Sequence, residues 1–258
     1  MNSIMNKSLK NTLYYCLGIL LIAVILQLLS VSSNKELFLP GINVIIKDLF
    51  YLLGKSSTYI SLWNTIKNLL LSLGISIIIG CTLGIIAGIN KNLYLLFKPA
   101  ISFLKTLPVI IFIVLLMLFF KFKNVPIITC VLILVPIFYE GTYQGIINLD
   151  RSYLDVYRLN SKTTPFVLFK VHLPLISSYS KASFISSIGM GIKILVTTEY
   201  ICGVNDTIGK QIIEAMNNLE YSYIYAYSII LIIMILFIES LPNLIIKTYK
   251  LTLSILKK

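Results

Sequence analysis

Long apolar runs constrain this chain more than any other feature of its sequence. Roughly 20 apolar residues are needed for a helix to cross the hydrocarbon core of a bilayer. Six runs reach about that length, at 13–31, 68–89, 102–120, 126–146, 182–203 and 223–246. We therefore expect an all-α, polytopic membrane protein with six transmembrane helices. Between the second and third runs we expect a short cytoplasmic turn at 91–99, and we expect Pro108 to kink the third helix or to start it. The first run is too long for the apolar part of a signal peptide and lacks a small-residue cleavage pattern, so we expect it to remain as a span.

Composition excludes a water-soluble globule and a metal cluster built on several histidines of one chain, and it argues against a cysteine metal site. Hydrophobic residues make up 57% of the 258 positions and charged residues only 12%, with a mean hydropathy of +0.90. The four cysteines fall in four different apolar runs, and His172 is the only histidine. That spacing is not typical of a metal site or a disulfide, so we predict neither. The net charge of +12 lies mainly in loops, so it indicates membrane orientation rather than nucleic-acid binding.

Positive charge is distributed unevenly between the two sides of the predicted spans. If the N-terminus lies inside, the cytoplasmic segments hold about twice as many Lys and Arg residues as the outer segments. Cytoplasmic loops of membrane proteins carry this excess, so we expect both termini to be cytoplasmic. Lys121 and Lys123 run against the bias, because they lie in a short loop on the predicted outer side.

Glycines recur at a helical interval in the second run. Gly80, Gly84 and Gly88 are four residues apart, which leaves one stripe of the helix without side chains. Such stripes let two membrane helices pack closely. The sequence predicts helix packing here but leaves open whether the partner helix belongs to the same chain or to a second copy.

A polar segment at 150–174 interrupts the apolar runs between the fourth and fifth spans. Ser152 and Thr164 are typical N-cap residues, and Pro165 suits the first position of a helix. We expect two short helices that form a compact cytoplasmic projection. The alternative is an ordinary solvated loop whose charges only follow the inside-positive bias.

The spacing within this segment resembles the EAA loop of ABC importer permeases, written EAA, three residues, G, nine residues, I, one residue and LP. The residues at the corresponding positions are Asp155, Val156, Tyr157, Ser161, Val171, Leu173 and Pro174. Asp155 stands at the glutamate position. Val156 and Tyr157 replace the two alanines and Ser161 replaces the glycine, which makes this segment bulkier than usual.

Three further stretches resemble the same family, and the resemblance covers about residues 64–239. They are Asn64-Thr65 at the start of the second span, Leu104 to Pro108, and Thr198-Glu199-Tyr200 followed by Gly209. The chain thus resembles type I ABC importer permeases of the nitrate, sulfonate, taurine and thiamine-precursor branch. The resemblance implies transport of a small solute, delivered by an extracytoplasmic solute-binding protein, across the plasma (inner) membrane.

The resemblance also implies how transport is driven. In the family the EAA loop is a coupling helix that fits a groove on a cytoplasmic ABC ATPase. The residues expected to couple here are Asp155, Val156, Tyr157, Arg158, Ser161, Leu173 and Pro174. The chain has no phosphate-binding loop of the GxxxxGK[ST] type, so we expect ATP to bind the partner subunit and this chain to be no enzyme. One such loop per chain implies that a two-fold pathway needs two permease chains, and we expect a homodimer in preference to a heterodimer.

Two charged residues in the fifth span are candidates for the solute pathway. Lys193 lies near the middle of the run, where an ionised side chain is costly unless it faces protein or water. It could bind an anionic solute, or it could pair with a carboxylate elsewhere or extend toward the membrane surface. Glu199 lies near the outer end and could gate the pathway or cap a helix break before Gly203.

The sequence predicts three regions: 1–62 as the first span and outer segment, 63–248 as the transport core and 249–258 as a cytoplasmic tail. The alternative to a permease is a six-span scaffold or a membrane-embedded enzyme without a transport cycle. Such an enzyme would need convergent reactive groups, and Lys193 and Glu199 are six residues apart on different sides of a helix.

Overall fold

The computed structural model describes residues 14, 17–18, 21, 24–25, 27–28, 38–148 and 177–256, with side chains from 182 to 240 in the last range. Its secondary structure over these residues is helical, which confirms the all-α prediction. The helices, in chain order, are α1 (Ile42–Leu53), α2 (Ser56–Ile89), α3 (Lys91–Thr106), α4 (Val109–Phe119), α5 (Val125–Ile147), α6 (Ser177–Cys202), α7 (Ile208–Asn217) and α8 (Tyr221–Leu256).

Four helices of the described part are long and apolar enough to cross a membrane. They contain the candidate spans Ser56–Ile89, Val125–Ile147, Ala182–Cys202 and Tyr221–Ser240. The bent pair α3 and α4 makes a fifth if it is one broken span. The run at 13–31 falls where only scattered residues are described, and those are helical. A polytopic membrane protein is therefore confirmed, while the count of six spans stays a prediction.

The third predicted span differs most from the structure. Residues 91–99 were expected to form a turn, but they belong to α3, which begins where Asn90 Oδ1 accepts a 2.9 Å hydrogen bond from the Asn92 amide. The break comes instead at Pro108, where the chain bends by 100° between α3 and α4. Leu107 is extended, with φ −68° and ψ 132°, as expected for the residue before a proline. The expected kink or helix start at Pro108 is confirmed, and the turn at 91–99 was wrong.

Two compact units divide the chain. The larger comprises Ile60–Lys210 and Met234–Lys258. In it α5 is the central helix, in contact with α3, α4 and α6 and with the glycines of α2. Its interior positions include Leu134 and Cys130, both fully buried. The predicted region limits at 62 and 248 stay predictions.

The smaller unit comprises Met1–Tyr59 and Gln211–Ile233. Aromatic side chains join α1 and the turn before it to the start of α8. The Phe38 and Tyr221 rings lie 5.0 Å apart, and the Tyr225 hydroxyl donates to the Phe38 carbonyl at 3.3 Å. The ammonium group of Lys55 lies 4.3 Å from the centre of the Tyr51 ring, a cation–π contact.

Candidate functional site

One side of α6 is exposed, and three of its five exposed residues are polar, although α6 is a candidate membrane span. Its exposed residues follow one another at helical intervals of three or four: Ala182, Ser186, Met190, Lys193 and Thr197. The exposed sides of α2, α4 and α8 instead carry large apolar residues such as Ile78, Leu118 and Phe237. Apolar exposed sides suit lipid, whereas polar side chains in a span normally face water or protein. We call the five α6 residues the polar stripe.

Lys193 lies near the centre of the polar stripe. It is 11 residues from Ala182, the first residue of the span Ala182–Cys202, and therefore about 16 Å along the helix axis at 1.5 Å per residue. Lys193 has no ion-pair partner among the described residues. A lysine at that depth is costly against lipid, so water or a protein surface outside the described part of the chain would suit this side of α6 better than lipid.

The polar stripe continues into an open cavity between α5 and α6. The cavity has a volume of about 420 Å³, and its lining residues are Ile137, Glu140, Gly141, Gln144, Asn148, Ala182, Ser183 and Ser186. Glu140 forms a 2.6 Å ion pair with Lys105 of α3. Because the segment 149–176 follows α5 directly in sequence, the cavity lies at the end of the helix from which the predicted coupling loop continues.

Glu199 occupies the opposite side of α6, fully buried inside the larger unit. Its carboxylate accepts a 2.8 Å hydrogen bond from the Thr65 hydroxyl and a 3.2 Å hydrogen bond from the Asn68 side-chain amide. The Gly209 backbone amide also donates a hydrogen bond to it. A buried carboxylate is tolerated when its oxygens are hydrogen-bonded in this way. Thr65 in turn accepts from the Ile208 amide at 3.2 Å. We call Glu199, Thr65, Asn68 and these two amides the Glu199 cluster.

Local backbone geometry places the first two residues of α7, Ile208 and Gly209, beside the Glu199 cluster. Gly203 ends α6 in the left-handed region at φ +61°, and the Val204 amide donates to the Glu199 carbonyl at 3.1 Å, a common helix-ending arrangement. Thr207 then caps α7 by accepting from the Lys210 amide at 3.4 Å. A Cβ on Gly209 would lie 2.6 Å from the Glu199 Cβ, so only glycine permits this approach.

The glycines of α2 face α5 of the same chain. A Cβ on Gly80 would lie 2.6 Å from the Phe138 Cβ, and one on Gly88 would lie 2.8 Å from the Ile146 Cβ. A Cβ on Gly84 would lie 2.7 Å from the Tyr139 carbonyl oxygen. The absence of side chains at these three positions lets the two helix backbones approach closely.

The other predicted site residues divide into two groups. Lys193 and Glu199 lie on different sides of α6, one exposed and one buried, and as solute-pathway residues they stay predictions. The predicted coupling residues lie outside the described residues: Asp155, Val156, Tyr157, Arg158, Ser161, Leu173 and Pro174.

Sequence reasoning missed the partners of Glu199. The stretches Asn64-Thr65 and Thr198-Glu199-Tyr200 were identified separately. Thr65 was not connected with Glu199, which lies 134 residues further along the chain. A usable signal was present, because Thr65 and Asn68 are three residues apart at the start of a long apolar helix. A hydroxyl and an amide on one side of a membrane helix need a polar partner, and Glu199 provides it.

Helices of spanning length define a polytopic membrane protein, and the polar stripe lies along one of these helices. The family model described as binding-protein-dependent transport system inner membrane component matches residues 80–249, about two thirds of the chain. The chain belongs to this family of ABC transporter permeases.

A curated relative agrees with this assignment. The chain is similar to the glycine betaine transport system permease protein OpuAB of Bacillus subtilis (strain 168), at 24% identity over 167 residues, which are 63% of this chain and 58% of the relative. The chain therefore matches less than two thirds of that relative's length. The family match includes Lys193, Glu199 and the 150–174 segment, whereas Thr65 precedes it.

Proposed function

We propose that this chain is the permease subunit of an ATP-driven ABC importer and that the polar stripe of α6 lines its solute pathway. The observation that supports this function is Lys193, exposed at mid-span on a side of α6 that is unsuited to lipid. A pathway between two subunits supplies the water or protein surface that this side requires. A homodimer provides it most simply, because each chain then contributes one stripe across a two-fold axis.

Coupling to the energy source is assigned to the segment 150–174. A cytoplasmic ABC ATPase binds this segment, and closure of the ATPase on ATP moves the end of α5. The cavity lined by Glu140 and Gln144 lies at that same end, so movement there changes access to the pathway. This assignment places both termini in the cytoplasm and the Glu199 cluster on the outer side, where a solute-binding protein docks.

The proposed solute is small and carries an anionic group that Lys193 binds. Sulfonates, taurine and nitrate, from the branch that the sequence resembles, carry such a group. Glycine betaine, named in the relative from Bacillus subtilis, carries a carboxylate. One ammonium group in a low-dielectric pathway could bind any of these anions, so the solute itself is an experimental question.

Reconstitution tests the proposal. The chain is purified with the ATPase that accompanies it from native membranes, placed in liposomes with its binding protein, and supplied with taurine, nitrate or glycine betaine. ATP-dependent accumulation of one solute inside is expected. A complex that binds no ATPase and accumulates no solute would favour the scaffold or membrane-embedded enzyme as the alternative.

A further inference from the structure

A second cavity of the larger unit lies beside the Glu199 cluster, at the start of α5. Its volume is about 220 Å³, room for several water molecules at about 30 Å³ each. The lining residues are Asn64, Lys67, Asn68, Lys123, Asn124, Ile127, Val204, Asn205, Asp206 and Thr207. Three separate elements contribute: α2, the turn into α5 and the connection from α6 to α7.

Two lysines in this cavity have no role in the function proposed above. Lys67 comes from α2 and Lys123 from the turn before α5, and both are exposed. Among the described residues, neither forms an ion pair, including with Asp206 across the cavity. With two ammonium groups and one carboxylate, the lining has an excess positive charge. Lys123 is also one of the two lysines that run against the inside-positive bias.

The remaining polar groups of the cavity suit an acceptor ligand. Asn124, the N-cap residue of α5, lines the cavity, and the NH2 group of an asparagine side chain carries two hydrogens that it can donate to a ligand. Asn64 and Asn68 already donate, to the Asp206 carbonyl at 2.9 Å and to Glu199, which fixes the base of the cavity. Ammonium and amide donors around one space match an oxyanion with several acceptor oxygens.

The depth of the cavity in the membrane indicates where such an oxyanion would come from. Trp63 is 64% exposed and lies one helical turn before Lys67 on the same side of α2. Tryptophan is enriched at the level of the lipid headgroups, and basic pockets beside membrane helices bind anionic headgroups. We propose that the cavity between Lys67 and Lys123 binds a phosphate-type oxyanion, supplied by an anionic lipid headgroup or as free phosphate.

Binding measurements on the whole chain test this site. The purified protein in maltoside detergent is titrated separately with phosphatidylglycerol and with inorganic phosphate, and bound ligand is counted by native mass spectrometry. One bound oxyanion per chain is expected, with at least ten-fold weaker binding in the Lys67→Gln/Lys123→Gln variant. Lys121→Gln is the matched control, because Lys121 is an exposed neighbour outside the cavity lining, and it should bind like the wild type.

The two titrations distinguish the sources. Saturable binding of phosphatidylglycerol without a response to phosphate identifies a lipid site, and saturable binding of phosphate identifies a solute oxyanion site. If the double variant does not fold, Lys123→Gln alone, with Lys123→Arg as the charge-preserving control, gives the same comparison. Equal binding by the wild type and the Lys67→Gln/Lys123→Gln variant, or by the wild type and Lys123→Gln where that single variant is used, overturns the proposal, as does no saturable binding of either probe.

Discussion

The hydroxyl of Thr65 donates a 2.8 Å hydrogen bond to the carboxylate of Glu199, and both residues are fully buried. This bond joins α2 to α6 at the point where α7 begins, because Thr65 also accepts from the Ile208 amide. The Glu199 cluster therefore connects two positions, Thr65 and Glu199, that are 134 residues apart in sequence. In the proposed transporter this cluster holds the outer end of α6 while the polar stripe lines the pathway.

Removing the Thr65 hydroxyl should destabilise the protein. Thr65→Val leaves the Glu199 carboxylate and the Ile208 amide each without one partner, which costs about 1–3 kcal/mol for a buried group. Unfolding in detergent measures the change. Thr197→Val is the control, because that exposed hydroxyl bonds only the Lys193 carbonyl of its own helix, and it should change stability by less than about 0.5 kcal/mol.

A double-mutant cycle tests whether Thr65 and Glu199 act together. If they do, Thr65→Val should cost less in a Glu199→Gln background, with a coupling energy of about 0.5–3 kcal/mol for residues in contact. The measurement is the free energy of unfolding of the two single variants and the double variant. Additive effects would contradict the hydrogen bond as a stabilising contact.

Adding a methyl group to the glycine stripe should disrupt packing. Gly84→Ala places a Cβ 2.7 Å from the Tyr139 carbonyl oxygen, and overpacking of this kind costs about 1–3 kcal/mol. Gly74→Ala is a matched control in the same helix, since nothing lies within 4 Å of its Cβ. Thermal unfolding should show a loss for the first variant and none for the second, and equal melting of both would refute close packing at Gly84.

Neutralising Lys193 should abolish transport without loss of stability. Lys193→Met removes the proposed anion-binding group from an exposed position, and the ammonium group has no ion-pair partner among the described residues. Uptake into proteoliposomes should fall at least ten-fold while the melting temperature stays unchanged or rises. Unchanged uptake would exclude a direct role for Lys193 in the pathway.

The ion pair between Lys105 and Glu140 should contribute little to stability. Both side chains are 46% exposed, and exposed pairs contribute about 0–1 kcal/mol. Because Glu140 lines the cavity next to α6, Glu140→Gln should still alter the rate of solute uptake. Measuring solute uptake and unfolding of the Glu140→Gln variant together separates a role of Glu140 in transport from a role in stability. A large loss of stability would show that the ion pair is structural.

Membrane helices were the most predictable part of the fold. Runs such as 126–146 and 182–203 correspond to α5 and the candidate span of α6 within a few residues, because spanning length and apolar composition leave little choice of structure. The break at Pro108 was also foreseeable, since proline lacks an amide hydrogen and restricts the residue before it. Helix α3 was missed because residues 91–99 were expected to form a turn, whereas the helix continues through this segment and contains Pro99.

The site was harder to predict because its geometry depends on contacts between distant residues. The sequence indicated Lys193 and Glu199 as unusual charges, but not that one is exposed and the other buried. Which side of α6 is buried depends on how α5 packs against it. The cavity around Lys67 and Lys123 likewise joins residues that are far apart in sequence, and only the packing of α2 beside the start of α5 brings them together.

Purification of the native complex tests the central claim, coupling to an ATPase through the segment 150–174. The wild-type chain, tagged and extracted from its own membranes, should carry an ABC ATPase whose activity rises with binding protein and solute. Tyr157→Glu places a charge within the predicted docking segment and should abolish both the association and the stimulation, whereas Lys121→Gln should preserve them. An ATPase that remains bound to and stimulated by the Tyr157→Glu protein would contradict this account.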